Sequence, residues 1–316
     1  MTGTARRRPR VRGPRTAVLT GVLALGLLTA CTHGTAAPEP TSDGDGEIVV
    51  ASGLDVTGEN GVRQQLIEEW NRTHDPDARL VELPGDADQQ RSQLLGALQS
   101  GSDQYDVVNL DVTWVPEFAE AGLISVLDDE DLVTDDFVDA VRDTGTWRSH
   151  TYAVPFNSDV GLLYYRKDVL RDAGVRNVDP ATWGRLYRMM NQVDQDEDRA
   201  VEDGGWTGQL DVYEGLTVSA VEALASVGVS LADKNDGHYS ADPESLAEGL
   251  NELEDRVERA TRRARTSREY TSLNDFAHGR ATFLRHWPYA YQQLLRSLGP
   301  ENLGVAPLPG TAVLGG

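Results

Sequence analysis

The residue types that most often do chemistry are scattered along this 316-residue chain. Its six histidines include no pair four residues apart on one helical face, and its single cysteine has no second thiol beside it. A zinc site needs three or four such ligands at close spacing, so none is expected. The sequence also lacks a nucleophile elbow, a phosphate-binding P-loop and a dinucleotide-binding glycine motif, and we expect no cofactor.

Carboxylates are the most abundant chemical groups, with 51 Asp and Glu residues. Acidic runs at 128–129, 135–136 and 194–198 lack the glycine and the distal glutamate of an EF-hand loop. We interpret them as solvated loops and helix starts. Two carboxylates could also act as the acid and base of a glycosidase, but no local signature singles out such a pair. The sequence therefore neither identifies nor excludes a catalytic pair of carboxylates.

The spacing of apolar residues predicts an α/β fold. Strands at 47–51, 79–83 and 105–110 alternate with helices at 62–70, 89–99 and 115–121, which indicates a parallel sheet covered by helices. On the first helix Val62, Leu66, Ile67 and Trp70 share one face, and we expect that face to be buried, with Trp70 and Trp114 in the core.

The remainder of the chain follows the same pattern. Strands are predicted at 151–156, 161–165, 281–284 and 303–306. Asp179-Pro180 and Asp242-Pro243 each predict a helix start, and 214–227 and 289–298 are predicted helices. The cationic run 259–268 is interpreted as a solvated face.

The N-terminus carries an export signal. Six arginines within the first 15 residues precede an apolar run at 17–28, which is typical of a secretory signal peptide and short for a membrane-spanning helix. The segment Leu28-Thr29-Ala30-Cys31 resembles a bacterial lipobox, which predicts that Cys31 is lipidated. We assign residues 1–31 to a lipoprotein signal peptide and residues 32–46 to a flexible tether.

Beyond the signal the chain is strongly acidic. Without the six N-terminal arginines, 23 cationic residues accompany 51 acidic ones, a formal net charge of −28. This balance argues against nucleic acid and anionic membrane surfaces as partners. A lipid on Cys31 would instead tether the protein to the outer face of the cytoplasmic membrane.

Four sequence blocks occur in an order that resembles the extracellular solute-binding proteins of ABC importers for maltose, trehalose and other oligosaccharides. The blocks are YDVVNLDVTWVPEF (105–118), YAVPFN with GLLYYRK (152–157 and 161–167), YEGL (213–216), and FAHGRA with WPY and PLPG (276–281, 287–289 and 307–310). The resemblance covers about residues 47–316. It implies a non-enzymatic monomer that binds a sugar and delivers it to the transmembrane subunits of a permease.

The resemblance also implies a type II periplasmic-binding-protein-like fold, in which two α/β lobes close on the ligand. We expect the first segment of the N-terminal lobe at 47–154 and the C-terminal lobe at 155–312. Residues 313–316 would begin the return crossing, after which family members continue. We therefore expect a truncated C-terminus and an exposed apolar surface where further segments would pack.

Candidate ligand-binding residues follow from the resemblance and from the position of polar groups at strand ends and helix starts. Asp111 ends the third strand where family members often place a sugar-binding acid, although it could simply cap the next helix. Trp287 matches the region of the stacking aromatic but could be a core residue. Tyr213 and Glu214 match a cleft-facing segment but could serve only the start of their helix. Weaker candidates are Asn157, Asp159, Asp55, Gln90 and Arg91.

Two other functions remain open at this point. The chain could be an exported glycan hydrolase, given its carboxylates and extracellular address. It could also be a ligand-binding lipoprotein that works without a transporter, which the absence of neighbouring permease genes would indicate.

Overall fold

The computed structural model describes residues 46–55, 61–127, 132, 137–195, 205–229, 231 and 242–310. The predicted signal peptide with Cys31, residues 32–45 of the predicted tether, and residues 313–316 lie outside these ranges. The described residues belong to one compact unit, Asp45–Gly316.

The first sheet is parallel, as the alternating pattern predicts, with strand order β2-β1-β3. Its strands are β1 (Ile48–Ser52), β2 (Ala78–Glu82) and β3 (Val107–Val108). The helices that accompany it are α1 (Val62–Thr73), α2 (Ala87–Gln99) and α3 (Val115–Glu120). Because parallel neighbours need a crossover connection, α1 and α2 each link two strands.

Apolar spacing on α2 and α3 builds the core against this sheet. Ala51 of β1, Leu94 of α2 and Phe118 of α3 are fully buried and belong to one apolar cluster. Asp86 begins α2 and accepts a hydrogen bond from the Gln89 N–H at 3.0 Å, which satisfies one of the helix's unpaired N-terminal donors. This capped helix start follows the end of β2 after a four-residue connection, 83–86.

The prediction that α1 buries an apolar face is wrong. Val62 is 47% exposed, Leu66 50% and Trp70 38%, and Trp70 stacks on His74 with ring centroids 4.0 Å apart. Trp114, in contrast, is buried as predicted. Helical periodicity identifies the face that is apolar, but it does not specify which segment will cover that face.

An apolar groove of about 640 Å³ lies beside this exposed helix face. Its walls include Leu66 and Ile67 of α1, Val107 of β3, and Phe156 from the segment that leaves the first sheet. Whether this groove is the apolar surface expected where further segments would pack stays a prediction.

A short connecting region follows α3. It contains the helix α4 (Asp139–Arg142) and the antiparallel pair β4 (Thr146–Trp147) and β5 (His150–Thr151). The predicted strand at 151–156 extends no further than Thr151, and the predicted strand at 105–110 is reduced to β3. Both segments line the groove, and the Asp106 and Asn109 N–H groups on either side of β3 still donate hydrogen bonds to the Val49 and Ala51 carbonyls of β1. The predicted lobe boundary between 154 and 155 falls in the irregular stretch before the next strand and stays a prediction.

The second sheet is mixed, with strand order β7-β8-β6-β9. Strand β6 runs antiparallel to both of its neighbours, whereas β7 and β8 are parallel. Its strands are β6 (Leu162–Arg166), β7 (Trp206–Thr207), β8 (Phe283–His286) and β9 (Leu303–Pro307). The helices around it are α5 (Lys167–Asp172), α6 (Trp183–Asp194), α7 (Glu214–Ser226), α8 (Pro243–Glu258), α9 (Glu269–Ala277) and α10 (Ala290–Leu298).

Alternation along the strands supplies a separate core on each face of the second sheet. Leu163 and Phe283 pack with α6 on one face. Tyr164 and Leu284 pack with α9 and α10 on the other. A sheet with both faces covered is a rigid support for the loops at its strand ends.

The predicted helix start at Asp179-Pro180 is displaced by three residues. Helix α6 begins at Trp183, after Thr182, whose side chain accepts a hydrogen bond from the Arg185 N–H at 3.2 Å. Thr182 also forms an isolated parallel bridge with Gly310, which holds its backbone extended and delays the helix. The other predicted start is confirmed, since Asp242 caps α8 with Pro243 in its first turn.

Candidate functional site

The candidate site is built around the first residues of α7. Tyr213 is the extended residue before the helix, and Glu214 is the first helical residue. The Tyr213 ring folds over the helix start so closely that a Cβ at position 215 would overlap its hydroxyl group. Position 215 must therefore be glycine for the Tyr213 ring to lie over the helix start, which explains the sequence Tyr213-Glu214-Gly215.

The Tyr213 side chain is buried and fixed by two contacts. Its hydroxyl donates a hydrogen bond to Glu269 Oε1 at 2.7 Å, and the Arg268 guanidinium lies 4.7 Å from its ring centroid. Burial, followed by the Glu269 carboxylate, raises the Tyr213 pKa well above its ordinary value. Tyr213 is therefore a neutral hydrogen-bond donor at any physiological pH.

Glu214 lies among other carboxylates. Its half-buried position and the charges of Asp111, Asp88, Glu269 and Asp86, in that order, raise its pKa from 4.5 to about 7. Asp111, Asp88 and Asp86 come from the first-sheet region, whereas Glu269 begins α9 beside the second sheet. Acidic groups from both sheets thus converge on Glu214.

Asp111 follows β3 at the carboxyl end of the first sheet. Its Oδ1 accepts hydrogen bonds from both the backbone N–H and the hydroxyl of Thr113, each at 3.0 Å. Neither Asp111 Oδ2 nor the Glu214 carboxylate accepts a hydrogen bond from any residue that the structure describes. The bonds from Thr113 orient the Asp111 carboxylate, and both Asp111 Oδ2 and the Glu214 oxygens keep lone pairs available for a hydroxyl-bearing ligand.

Trp287 immediately follows β8 and is half-exposed. The Arg285 guanidinium lies 3.8 Å from its ring centroid. The Trp287 carbonyl accepts a hydrogen bond from the buried Tyr164 hydroxyl at 3.0 Å, and burial raises the Tyr164 pKa to about 12. Trp287 is thus neither a core residue nor a loose surface residue.

The electrostatic neighbours of Tyr289 bring another predicted residue toward this region. Burial raises the pKa of Tyr289, and the next contributions come from Glu269 and Asp159. Asp159 accepts a hydrogen bond from the Asn157 side-chain amide at 3.0 Å. Asn157 and Asp159 therefore orient each other on the segment between β5 and β6.

The other three predicted residues have local partners on the first-sheet side. Asp55 accepts a hydrogen bond from the Arg63 N–H at 2.8 Å and so caps the start of α1. The amide of Gln90 packs against Gly53, where an added Cβ would lie 2.9 Å from Oε1. Arg91 pairs with Glu117 through two hydrogen bonds, which raises the Arg91 pKa.

Arg268 bonds to one carboxylate from the first-sheet region and to one beside the second sheet. Its Nε donates to Asp211 Oδ2 at 2.7 Å and its Nη1 donates to Asp86 Oδ2. Asp86 belongs to the start of α2, whereas Asp211 precedes α7. The hydrogen bond from Arg268 holds the Asp211 pKa below its usual range. The ion pair with Asp86 thus links the first-sheet region to the second.

Sequence reasoning missed the residues that surround the predicted ones, namely Asp86, Asp88, Arg268, Glu269, Arg285 and Tyr289. Arg268 falls in the cationic run interpreted as a solvated face; its side chain is 43% exposed, but it also pairs with two carboxylates, which that interpretation does not indicate. The capping box at the start of α9, with Thr271 accepting from the Arg268 N–H at 2.8 Å, is the signal that could have indicated an ordered helix start.

The described residues contain no group of three or more His, Cys, Asp or Glu side chains arranged to hold a metal ion. In the same part of the chain, no helix combines the length and apolar character needed to cross a bilayer. What the site does offer is hydrogen-bonding carboxylates and aromatic rings.

Comparison with known proteins identifies the family. The family described as bacterial extracellular solute-binding protein matches residues 57–313. This chain belongs to that family. The match begins after β1 and Asp55 and includes the other strands of both sheets and the other residues of the candidate site, so the order of the four sequence blocks reflects common ancestry.

Members of the family with similar sequences include a probable ABC transporter-binding protein of Deinococcus radiodurans, 27% identical over 250 residues. That alignment covers 76% of this chain and 58% of the Deinococcus protein. An arabinooligosaccharide-binding protein of Halalkalibacterium halodurans is 29% identical over 133 residues, 41% of this chain and 30% of that protein. The chain thus spans less than two thirds of the length of these relatives.

A solved family structure confirms the fold. Maltose-bound MalE3 of T. maritima superimposes with a TM-score of 0.70 at 28% identity, covering 84% of this chain and 68% of MalE3. The predicted two-lobe, type II periplasmic-binding-protein-like fold is therefore correct.

Proposed function

We propose that this protein captures a carbohydrate, a di- or oligosaccharide, outside the cell and delivers it to the transmembrane subunits of an ABC importer. The proposal rests on one observation above all: Arg268, which lies against the Tyr213 ring, bonds to Asp86 of the first-sheet region and to Asp211 before α7, where charges from both sheet regions raise the pKa of Glu214. A ligand held between Asp111 and Glu214 would contact both sheet regions at once, as a protein that closes on its ligand requires.

The chemistry of these groups suits a sugar. Carboxylate oxygens form strong hydrogen bonds with hydroxyl groups. The half-exposed ring of Trp287 can lie against the apolar C–H face of a pyranose, and Tyr213 adds a second aromatic group. Asp111, Glu214, Tyr213 and Trp287 are the ligand-binding residues that we propose, with Asn157 and Asp159 at the margin of the site.

Asp55, Gln90 and Arg91 are weaker members of this proposed set. Asp55 is bonded to the start of α1 and Arg91 to Glu117. Each would have to exchange these bonds for bonds to ligand, which reduces the net gain in free energy.

Relatives support the ligand class. The Halalkalibacterium relative is named for arabinooligosaccharides, and the T. maritima structure holds maltose. The Deinococcus relative is named a probable ABC transporter-binding protein. We propose the same division of labour here, with this protein as a monomeric, non-enzymatic binder and a separate permease as its partner.

Titration calorimetry with maltose, trehalose and longer oligosaccharides tests this function. Replacing Trp287 with Ala should weaken binding by about 1–3 kcal/mol, in line with other aromatic platforms on planar ligands. Trp147→Ala is the matched control, because Trp147 is also half-exposed and also lies beside an arginine, but it belongs to β4. If the Trp287 variant binds the sugar as tightly as the wild type does, Trp287 is not a ligand-binding residue.

Membrane attachment is a separate part of the proposal. A diacylglyceryl group on Cys31 would hold the protein at the outer face of the cytoplasmic membrane, within reach of the permease. In cells fed radiolabelled palmitate, the wild-type protein should carry the label and the Cys31→Ser variant should not. Label in both proteins would contradict lipidation at Cys31.

Glycan hydrolysis is a second candidate, supported by one feature. A glutamic acid whose pKa is raised to about 7 by burial and by the charge of Asp111 resembles the general acid of a glycosidase. Turnover of chromogenic glycosides that disappears in Glu214→Gln would favour the hydrolase. Tight sugar binding without turnover would favour the transport protein.

A further inference from the structure

Arg285 is an unusual residue for the interior of a sheet. Its side chain is only 3% exposed, although it lies one residue before the end of β8. A buried guanidinium is expensive unless its N–H groups are paired. The contacts that pair it determine where its planar face lies.

Two side chains fix the plane of the Arg285 guanidinium. Its Nε donates to both carboxylate oxygens of Glu222, at 3.2 and 3.1 Å, and its Nη2 also donates to Glu222. Its Nη1 donates to Gln209 Oε1 at 2.9 Å. Gln209 is itself fully buried and donates to Ser272 Oγ at 2.8 Å. The guanidinium therefore has little freedom to rotate.

The indole of Trp287 lies against this fixed plane, with the guanidinium carbon 3.8 Å from the ring centroid. Backbone contacts confine the pair further. A Cβ at Gly161 would overlap the Glu222 carboxylate, so the chain passes directly over the ion pair. Tyr164 holds the Trp287 carbonyl from the other side of the sheet.

We propose that Arg285 is a positioning residue that holds the Trp287 ring by stacking on one face and thereby presents the opposite face to ligand. Glu222 and Gln209 contribute indirectly, because their hydrogen bonds orient the Arg285 guanidinium. The consequence for binding rests on the proposed sugar-binding function, whereas the consequence for the ring does not. A side chain that is ordered before binding need not be ordered by the ligand.

Arg285→Lys separates stacking from charge. Lysine keeps a cation opposite Glu222, which protects the fold, but it has no planar group to lie on the indole. Arg256→Lys is the matched control, since Arg256 is equally buried, pairs with Glu252 and lies 4.4 Å from the ring centroid of Trp183.

The ring itself is observed without any ligand. The protein is labelled with 5-fluorotryptophan, and the Trp287 signal among the six tryptophans is assigned by Trp287→Phe. The fluorine spectrum of the wild type should show one sharp Trp287 resonance. Arg285→Lys should broaden or split that resonance, and Arg256→Lys should leave it unchanged. An unaltered Trp287 resonance in Arg285→Lys overturns the proposal.

The effect on binding is measured with whichever oligosaccharide the wild type binds. Arg285→Lys should raise Kd about 3- to 10-fold, the size expected when one side chain must be ordered on binding. In the Trp287→Ala background the same substitution should change Kd less than 2-fold. An equal loss in both backgrounds means that Arg285 does not act through Trp287 and overturns the proposal. If no sugar binds the wild type, the proposed function fails and the fluorine spectrum still decides the role of Arg285.

Discussion

Glu214 should make the stability of this protein depend on pH near neutrality. Its pKa is raised from 4.5 to about 7 by burial and by the charges of Asp111, Asp88, Glu269 and Asp86. Between these two pH values the folded protein binds more protons than the unfolded chain. Stability therefore falls as pH rises through this window, and the full cost of ionising Glu214 is present above pH 7.

Glu214→Gln removes that cost and keeps the shape of the side chain. At 1.36 kcal/mol per pH unit, the displacement of the pKa corresponds to about 3 kcal/mol. Because Glu214 is only half-buried, water screens its charge, and we expect about 1–2 kcal/mol. For a protein of this size that gain corresponds to a rise in Tm of roughly 2–6 °C.

The assay is thermal unfolding of wild type and Glu214→Gln from pH 4.5 to pH 8. The two Tm values should nearly coincide at pH 4.5 and separate as pH rises, with the variant more stable at pH 8. Glu244→Gln is the control, since Glu244 is also in the first turn of a helix but is exposed, and its loss should give no such gain. The reasoning fails if the Tm difference between variant and wild type is the same at pH 4.5 and pH 8, or if the wild type is the more stable protein at pH 8.

Two further predictions concern packing and the link between the sheets. Gly249→Ala should lower stability by about 1–3 kcal/mol in urea unfolding, since the new methyl would lie 2.9 Å from the Leu224 Cα where α8 crosses α7. Gly96→Ala, in open space on α2, should instead stabilise by about 0.5–1 kcal/mol, and a loss in both variants would contradict the packing argument. Asp86→Asn keeps a cap on α2 but removes the ion pair with Arg268, so it should cost no more than about 1 kcal/mol. That difference should vanish in about 1 M salt, and a difference that persists would point to a role other than the ion pair.

Local patterns account for the parts of the fold that could be predicted. The alternation of strands and helices predicts the first parallel sheet, and Asp242-Pro243 predicts the start of α8. These signals lie within a few residues of the structure that they specify. The antiparallel pairing of β6 is different, because the register of Leu163 with Arg285 depends on residues more than a hundred positions apart.

The candidate site was predictable in part for the same reason. Asp111 and Trp287 follow strands, and Tyr213 and Glu214 begin a helix, so each lies where a local pattern indicates. The capping box at Arg268 indicates a helix start, but no local pattern indicates its ion pair with Asp86, 182 residues away.

Some outcomes depend on what is packed against a segment rather than on the segment itself. The exposed face of α1 is amphipathic whether or not another element covers it. Likewise, the sequence predicts Trp287 as a candidate ligand-binding residue but contains no local sign that Arg285 lies against its ring. Contacts of this kind are decided by the tertiary arrangement.

The most direct test of the central claim is a thermal-shift screen of residues 32–316 against mono-, di- and oligosaccharides. A ligand that binds only the folded state stabilises it by mass action, by about 2.7 kcal/mol at 100 times Kd. We predict a cooperative melt whose midpoint rises with one class of di- or oligosaccharide and rises much less in Trp287→Ala. A cooperative melt that no sugar shifts would contradict the proposal that this protein binds a carbohydrate.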